Sequence, residues 1–226
     1  MLMTPLEDVT SWWWVRHAPV VGYDGIIYGS QDVPADTSDE EAYQSLAKGL
    51  PDDAIWVTSH LKRTHVTADA IGQAGLKHPE RLIEQGLGEQ NFGNWQDMTY
   101  AQQDADWRAR YGAESMHKFW YCPADHRPEG GESFVDMIDR VAEVITRMNE
   151  THRGRNIVAV AHGGTIRAAL ALALGLDPDR AFSFQTENLS TTRIDHVKGP
   201  GTGGDWRVAF INKRAGNKAP ASRQIA

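Results

Sequence analysis

Cysteine is almost absent from this sequence: Cys122 is the single one among 226 residues. One cysteine permits no internal disulfide, which is the usage expected in a reducing compartment. No uninterrupted apolar run approaches the length that a helix needs to cross a bilayer. Residues 1–11 contain Glu7 and Asp8 and lack the apolar centre of a signal peptide. We therefore expect a soluble, cytoplasmic protein with no membrane partner.

Positive charge is also scarce. The chain has 23 lysines and arginines against 30 aspartates and glutamates, for a formal net charge of -7. This balance argues against general binding of nucleic acid or anionic membranes, although it permits a local cationic pocket. The sequence shows no internal repeat and no convincing second domain. With 41% hydrophobic residues, its length suits one α/β domain.

A short apolar run, residues 12–15, leads directly into Arg16 and His17. Because the run has no helical period, it predicts a buried strand of a parallel sheet. Pro19 opposes continuation of the strand, so we expect it to end at about His17. Ligands of open α/β sheets bind beyond the carboxyl ends of the strands. On these residues alone, a chance pair at the end of a core strand is the alternative interpretation.

A second apolar run, residues 157–161, ends in His162 and is followed by Gly163 and Gly164. Two glycines permit close approach of the backbone, and a helix is predicted to begin at once. Free N–H groups at the start of a helix bind anions. Two histidines at strand ends, one of them beside an arginine, therefore predict a pocket for an anion.

The remaining pattern alternates strands and helices. It predicts a helix at 39–50 capped by Ser38, a strand at 54–58, and a helix whose first turn holds Arg63 and whose apolar face is Leu61, Val66, Ala70 and Ala74. It then predicts a short strand at 81–84 and an insertion at 86–132 that contains a helix at 101–111. Two further helices follow, one capped by Ser133 and one at 165–174. The last two predicted strands, 191–196 and 206–211, form a hairpin at the sheet edge. The basic segment 213–226 has no period and is predicted to be disordered.

Five motifs follow one another in the order found in a known family. They are Arg16-His17-Ala18, Ser59-x-Leu61-x-Arg63-Thr64-x-x-Thr67-Ala68, Leu87-x-Glu89-x-x-Phe92-Gly93-x-Trp95, Gly130-Gly131-Glu132-Ser133 and Ala161-His162-Gly163-Gly164. Together they resemble the histidine phosphatase superfamily, which includes the cofactor-dependent phosphoglycerate mutases. Five ordered motifs are far more specific than one. Tyr28-Gly29, the short insertion and the Gly-Gly-Glu-Ser motif are most similar to the phosphatase branch, including α-ribazole phosphatases.

The resemblance implies one α/β/α sandwich domain over residues 1–212, with a mostly parallel sheet, an antiparallel edge strand and segment 86–132 as a lid. It implies a phosphomonoesterase of small metabolites, with α-ribazole 5'-phosphate or a sugar or nucleotide phosphate as candidates. It implies no cofactor and no metal, and it leaves a homodimer open. The implied roles are these: His17 is the nucleophile that becomes phosphohistidine, Arg16, Arg63 and His162 bind the phosphoryl oxygens, Glu89 is the general acid and base, and Gly163 and Tyr28 contact the substrate.

Three positions depart from the family pattern, namely Ala18, Tyr23 and Gln96, where glycine, asparagine and glutamate are usual. They leave open a second class of function, a module that binds phosphorylated ligands but no longer catalyses their hydrolysis. Within enzymes the alternative is a phosphoglycerate mutase, but segment 92–130 has no adjacent basic pair to hold a carboxylate. His60 and His65 have no carboxylate or cysteine at ligand spacing, so we interpret them as structural or close to the substrate.

Overall fold

The computed structural model describes residues 9–77 and 80–215, in which six strands form one mixed sheet. The strands are β1 (Val9–Arg16), β2 (Ile55–Thr58), β3 (Leu82–Ile83), β4 (Asn156–Ala161), β5 (Thr191–Val197) and β6 (Trp206–Lys213). Their order is β3-β2-β4-β1-β5-β6. The first four strands in this order are parallel, while β5 and β6 are antiparallel to their neighbours. The predicted mostly parallel sheet with an antiparallel edge is confirmed.

Helices cover both faces of this sheet. They are α1 (Glu40–Gly49), α2 (Lys62–Gln73), α3 (Tyr100–Tyr111), α4 (Phe134–Thr151), α5 (Gly163–Leu174) and α6 (Pro178–Ala181). One apolar core joins α4, α5 and α6 to one face of the sheet, and a second joins α1 and α2 to the other. The α/β fold with helices on both faces is therefore as predicted. No helix in the described ranges is long and apolar enough to cross a membrane.

Strand β1 supplies side chains to both cores because successive residues of a strand point to opposite faces. Trp12 and Trp14 belong to the core beneath α4 and α5, while Val15 belongs to the core beneath α1 and α2. The two indoles stack with their ring centroids 4.9 Å apart. Trp12 Nε1 donates to Asn149 Oδ1 of α4 at 2.8 Å, which satisfies its buried polar atom. These tryptophans are core residues, as the sequence indicates.

Two details of the helices differ from the prediction. Asp39, not Ser38, caps α1, since its side chain accepts from the backbone N–H of Ala42 and the helix begins one residue later than predicted. The apolar face predicted for α2 is wrong at Val66, which is 39% exposed, whereas Leu61 is buried and Ala70 and Ala74 pack against the core. The buried face of the helix consists of Arg63, Thr64, Thr67, Ala68 and Ile71. This face is polar because it borders the two histidines, where buried polar atoms find hydrogen-bond partners.

At the carboxyl end, the predicted edge hairpin is confirmed, and β6 extends to Lys213. Arg214 forms an ion pair with Glu187 in the loop before β5. The first residues of the predicted disordered tail are therefore attached to the domain. Residues 216–226 lie outside the described part of the chain, and so do residues 1–8 of the predicted domain.

The insertion, residues 86–132, forms most of a small apolar cluster. The cluster consists of Ile27, Phe92, Trp95, Trp107 and Cys122, of which Ile27 lies before the insertion in the sequence. Two close backbone approaches at glycines join the beginning of this segment to its end. Gly93 has a φ of 53°, and a Cβ there would overlap the carbonyl of Glu129. A Cβ at Gly131 would overlap the carbonyl oxygen of Asn91. That the insertion moves as a lid stays a prediction.

The contact at Gly131 predicts a stability difference between two glycine variants. Gly131→Ala should lower the free energy of unfolding by about 1–3 kcal/mol, because the added methyl group meets backbone that cannot rotate away. Gly49→Ala is the matched control, since nothing lies within 4 Å of its Cβ position in α1. It should cause no loss. Urea unfolding of both variants measures the difference, and equal midpoints would contradict the described packing.

Candidate active site

His17 lies immediately after β1 and is fully buried. Its Nδ1 is 2.6 Å from the carbonyl oxygen of Ala18. A carbonyl can only accept, so Nδ1 carries the proton and Nε2 has the free lone pair. Among the described residues, Nε2 has no hydrogen-bond partner. Burial, then the charges of Arg63 and Arg16, hold the pKa of His17 well below its usual value. The ring is therefore a neutral imidazole that can act as a nucleophile.

His162 follows β4 and lies beside His17, with ring centroids 5.1 Å apart. Arg63 Nε donates to its Nδ1 at 3.2 Å. Nδ1 is thus an acceptor, and Nε2 donates to Ser59 Oγ at 2.8 Å. Burial and the neighbouring Arg63 lower the pKa of His162 well below its usual value. The Nε2–H group of this neutral ring already donates to Ser59 Oγ. To bind a phosphoryl oxygen, it must replace that hydrogen bond with one to the phosphoryl group.

Arg63 comes from the first turn of α2 and is also fully buried. Its Nη1 donates to the carbonyl of Gln31 at 2.6 Å, and its Nη2 donates to the carbonyl of Gly29 at 2.8 Å. The ring of Tyr28 lies 5.3 Å from the guanidinium carbon. These contacts fix the plane of the guanidinium. Each terminal nitrogen keeps a second N–H group that can serve an anion.

Arg16 is the last residue of β1, and its Nη1 donates to the carbonyl of Thr186 at 2.6 Å. Its Nε is buried and has no partner among the described residues. Gly163, the first residue of α5, lies against this guanidinium: a Cβ there would be 3.5 Å from Cζ and Nε of Arg16. The predicted residues Arg16 and Gly163 therefore lie in contact at the start of a helix, where N–H groups favour an anion.

The carboxylate of Glu89 reaches the same helix start from the insertion. It accepts from the backbone N–H of Gly164 at 3.2 Å and from that of Gln90 at 3.0 Å. A Cβ at Gly164 would overlap Oε1 of Glu89. The second glycine after His162 is thus the residue that makes room for the acid.

A cavity of about 60 Å³ lies beside these groups. Its lining includes Arg16, Tyr28, Gly29, Glu89, Trp120, Gly163 and Arg167. Four of the seven residues predicted for the site line this cavity, namely Arg16, Tyr28, Glu89 and Gly163. The other three, His17, Arg63 and His162, do not line it. His17 and His162 are the chain neighbours of Arg16 and Gly163, and Arg63 donates to the carbonyl of Gly29 in the lining. A larger cavity, about 570 Å³, lies at the other end of β1 beside Thr10 and His196, away from these groups.

The loop that carries Glu89 is held by a pair that sequence reasoning missed. Arg140 Nη1 donates to the carbonyls of Gly86 and Gly88 at 2.8 and 2.9 Å, and Nη2 donates to the carbonyl of Glu89 at 3.2 Å. Arg140 is itself paired with Glu132 through Nη2 and Oε1 at 2.7 Å. Glu132 belongs to the Gly-Gly-Glu-Ser motif. The motif marks this residue in the sequence, but it does not reveal that Glu132 positions the loop of Glu89 through Arg140.

Two further supports of the site come from distant parts of the chain. Asn188 Nδ2 donates to the carbonyl of His17 at 2.8 Å, across a sequence separation of 171 residues. Ser59 Oγ contacts His162 across a separation of 103 residues. No sequence pattern around Asn188 predicts this hydrogen bond. The bond forms because the start of β5 brings Asn188 next to the end of β1. Ser59 was part of a motif, which could have marked it.

The three departures from the family pattern are accommodated. The methyl group of Ala18 is buried in the core beneath α1 and α2. Gln96 Oε1 accepts from the backbone N–H of Ser30 at 3.0 Å and from its Oγ at 2.9 Å. It therefore holds the loop that contacts Arg63. Tyr23 packs edge-on against Tyr28, with ring centroids 5.9 Å apart.

His60 and His65, which flank Arg63 in the sequence, have different surroundings. His65 Nε2 donates to the carbonyl of Ser59 at 2.9 Å, which gives it a structural role. His60 is exposed, and its ring borders Gly88. Within residues 9–77 and 80–215 there is no group of three His, Cys, Asp or Glu residues that could hold a metal ion.

Curated relatives match part of the chain. Over 145 residues it is 36% identical to glucosyl-3-phosphoglycerate phosphatase from Mycolicibacterium vanbaalenii, covering 61% of this chain and 60% of that protein. Over 140 residues it is 34% identical to 2,3-bisphosphoglycerate-dependent phosphoglycerate mutase from Brucella anthropi, covering 59% of this chain and 64% of that protein. The matched regions thus span less than two thirds of these relatives.

The fold is shared with a solved structure, the α-ribazole phosphatase from Shigella flexneri. The TM-score is 0.70 at 22% identity, over 93% of this chain and 100% of that one. At this identity the likeness concerns the fold. A model of the histidine phosphatase superfamily (branch 1) matches residues 12–212, which include every predicted site residue. The chain therefore belongs to branch 1 of the histidine phosphatase superfamily.

Proposed function

We propose that this chain hydrolyses small phosphomonoesters through a phosphohistidine at His17. The observation that carries the proposal is the state of His17: a neutral imidazole whose Nε2 is buried, has no hydrogen-bond partner among the described residues and is close to two guanidinium groups. Phosphoryl transfer requires positioning and charge stabilisation around the phosphoryl oxygens. Arg16 and Arg63 supply that charge. The chain's membership of a phosphatase-containing family supports the same reaction.

In the first step, His17 Nε2 attacks phosphorus. An N–P bond forms, the P–O bond to the alcohol breaks, and the leaving oxygen takes a proton from Glu89 in its acid form. In the second step, a water molecule attacks phosphorus and gives its proton to Glu89. The N–P bond breaks, and inorganic phosphate and neutral His17 are released. Glu89 is suited to this role because it lines the cavity beside the start of α5.

The charge supplied by Arg16, Arg63 and the N-terminal end of α5 can neutralise the phosphoryl group. We therefore propose that the reaction needs no divalent metal and no organic cofactor. The substrate is a small phosphorylated metabolite, with α-ribazole 5'-phosphate and sugar or nucleotide phosphates as candidates. We also propose that residues 1–212 act as one catalytic domain in the cytoplasm.

Hydrolysis is favoured over mutase activity by the basic residues of the insertion. A mutase must hold a carboxylate-bearing substrate, for which segment 92–130 offers Arg108, Arg110, Lys118 and Arg127. The three arginines are each paired with an aspartate on the surface, with N–O distances of 2.7, 2.9 and 2.6 Å, and Lys118 is exposed. None of them lines the catalytic cavity. The chain keeps both His17, the proposed nucleophile, and Glu89, the proposed acid. This argues against the alternative of a binding module that catalyses no reaction.

The neutral state of His17 predicts how stability depends on pH. A histidine whose folded-state pKa lies below its unfolded value contributes stability above the unfolded value, about 6.5, and loses it as the pH falls further. Between pH 7 and pH 5, wild-type protein should lose more free energy of unfolding than His17→Asn, by up to about 1.4 kcal/mol per pH unit for one proton. Chemical denaturation measures both curves, which should be parallel above pH 8. Parallel curves at acid pH would mean that His17 is not held neutral.

Glu89→Gln tests the proton transfer. Glutamine keeps the size of the side chain but cannot give or take a proton. We expect hydrolysis of an alkyl phosphate, whose alkoxide leaves as a strong base, to slow by about 10²- to 10⁴-fold. Formation of the phosphoenzyme from p-nitrophenyl phosphate, whose leaving group is a weak base, should slow much less. Pre-steady-state bursts in buffer containing EDTA measure this step apart from the attack of water.

Glu143→Gln is the matched control, because it removes a carboxylate from the exposed side of α4. It should leave both rates unchanged. Equal losses for the two substrates in Glu89→Gln would assign Glu89 a binding or structural role. Loss of all activity in EDTA, restored by Mg²⁺ or Zn²⁺, would overturn the proposal of a reaction without metal.

A further inference from the structure

Arg167 is a buried cation that the proposed reaction does not use. It lies on α5 and is 6% exposed. Its Nε donates to the carbonyl of Phe184 at 2.9 Å. Neither terminal nitrogen has an acceptor among the described residues, and no carboxylate there lies within ion-pair distance. Burial, then the charge of Arg16, lower its pKa to about 10, so it remains charged at neutral pH.

Holding such a cation inside a protein is costly. A buried charge is normally paired or fully hydrogen-bonded, because removal from water disfavours the charged form. Arg167 has one neutral acceptor and the face of Trp120, whose ring centroid is 4.8 Å from the guanidinium carbon. The indole Nε1 of Trp120 is itself buried and without a partner among the described residues. The terminal nitrogens of Arg167 and Nε1 of Trp120 thus lie together, with no acceptor for them among the described residues.

These donors border the catalytic cavity. Arg167 and Trp120 line it together with Arg16, Glu89 and Gly163. Gly163 and Arg167 are four residues apart on α5 and so lie on one face of the helix. Because Arg16 contacts Gly163, Arg167 lies one helical turn beyond the phosphoryl-binding end of the cavity. A substrate whose phosphoryl group is positioned for attack by His17 would place its alcohol portion within this part of the cavity.

We propose that Arg167 and Trp120 form a binding site for a second anionic group on the alcohol portion of the substrate. The substrate class is then a phosphomonoester that also carries a carboxylate or a second phosphoryl group. A guanidinium can bind either oxyanion through two parallel N–H bonds. This inference rests on the proposed function and adds substrate selection to it.

The test compares aryl phosphates that differ in one substituent. The probes are 3-carboxyphenyl, 3-phosphonophenyl and 3-carbamoylphenyl phosphate, together with the corresponding 4-substituted isomers. The carbamoyl compound has the shape of the carboxylate without its charge. Wild-type protein should hydrolyse at least one anionic probe with a kcat/KM roughly 10- to 100-fold above that of its carbamoyl counterpart, the range for a charge-assisted hydrogen bond. Which anionic probe is preferred distinguishes carboxylate from phosphoryl recognition.

Arg167→Met should remove this preference, mainly through KM, and should affect the carbamoyl probe clearly less. Arg167→Lys keeps the charge and should retain part of the preference. Arg180→Met is the matched control, since it removes a positive charge from an exposed position beyond α5. It should leave the ratio of the two kcat/KM values unchanged. If Arg167→Met does not fold, Arg167→Lys is compared with wild type instead, and it should show a partial loss of the preference for the anionic probe.

Wild-type protein with no preference for any anionic probe would overturn the inference. Equal losses for charged and neutral probes in the Arg167 variants would also overturn it, because they would place Arg167 at the phosphoryl group or in the core. Failure of the proposed function gives a different result, since no aryl phosphate would then be hydrolysed at all.

Discussion

The parallel pairing of β1 with β4 is the constraint on which the site depends. Its register places Arg16 beside Ala161, and the backbone N–H of His17 donates to the Ala161 carbonyl at 3.0 Å. Two strands 145 residues apart in sequence therefore end side by side, each followed by a histidine. The stacked tryptophans of β1 and the apolar face of α5 bury both strands. The pairing therefore sets where Arg16, His17 and His162 lie relative to one another.

Burial sets the chemistry of the site as well as its geometry. Three arginines near two histidines would repel protonated rings, and removal from water acts in the same direction. Both histidines are therefore neutral, and hydrogen bonds fix their tautomers: Nδ1–H on His17 and Nε2–H on His162. The cost of burying the guanidinium of Arg63 is offset by backbone carbonyls from the loop at residues 29–31. The fold thus places a neutral imidazole, with the lone pair of His17 Nε2 free, beside positive charge.

The sequence could predict those parts of the fold and site whose signal is local. Apolar runs that end in His17 and His162 predicted the two central strands, and glycines after His162 predicted the close approach that Glu89 uses. The apolar face of α2 could not be predicted from its period, because that helix turns a hydrogen-bonded polar face inward. Arg140 and Asn188 act through backbone carbonyls of distant segments, so their roles depend on tertiary contacts that no local pattern contains.

The central claim is that His17 becomes covalently phosphorylated, and rapid-quench labelling tests it most directly. Protein mixed for milliseconds with a ³²P-labelled phosphomonoester in EDTA is denatured in base, digested and mapped. We expect one labelled peptide, which contains residue 17 and whose label is stable in base and lost in acid. His17→Ala should carry no label, whereas His117→Ala, which removes a histidine packed against Phe182, should be labelled like wild type. Label that persists in His17→Ala, or that maps to another residue, would contradict the account.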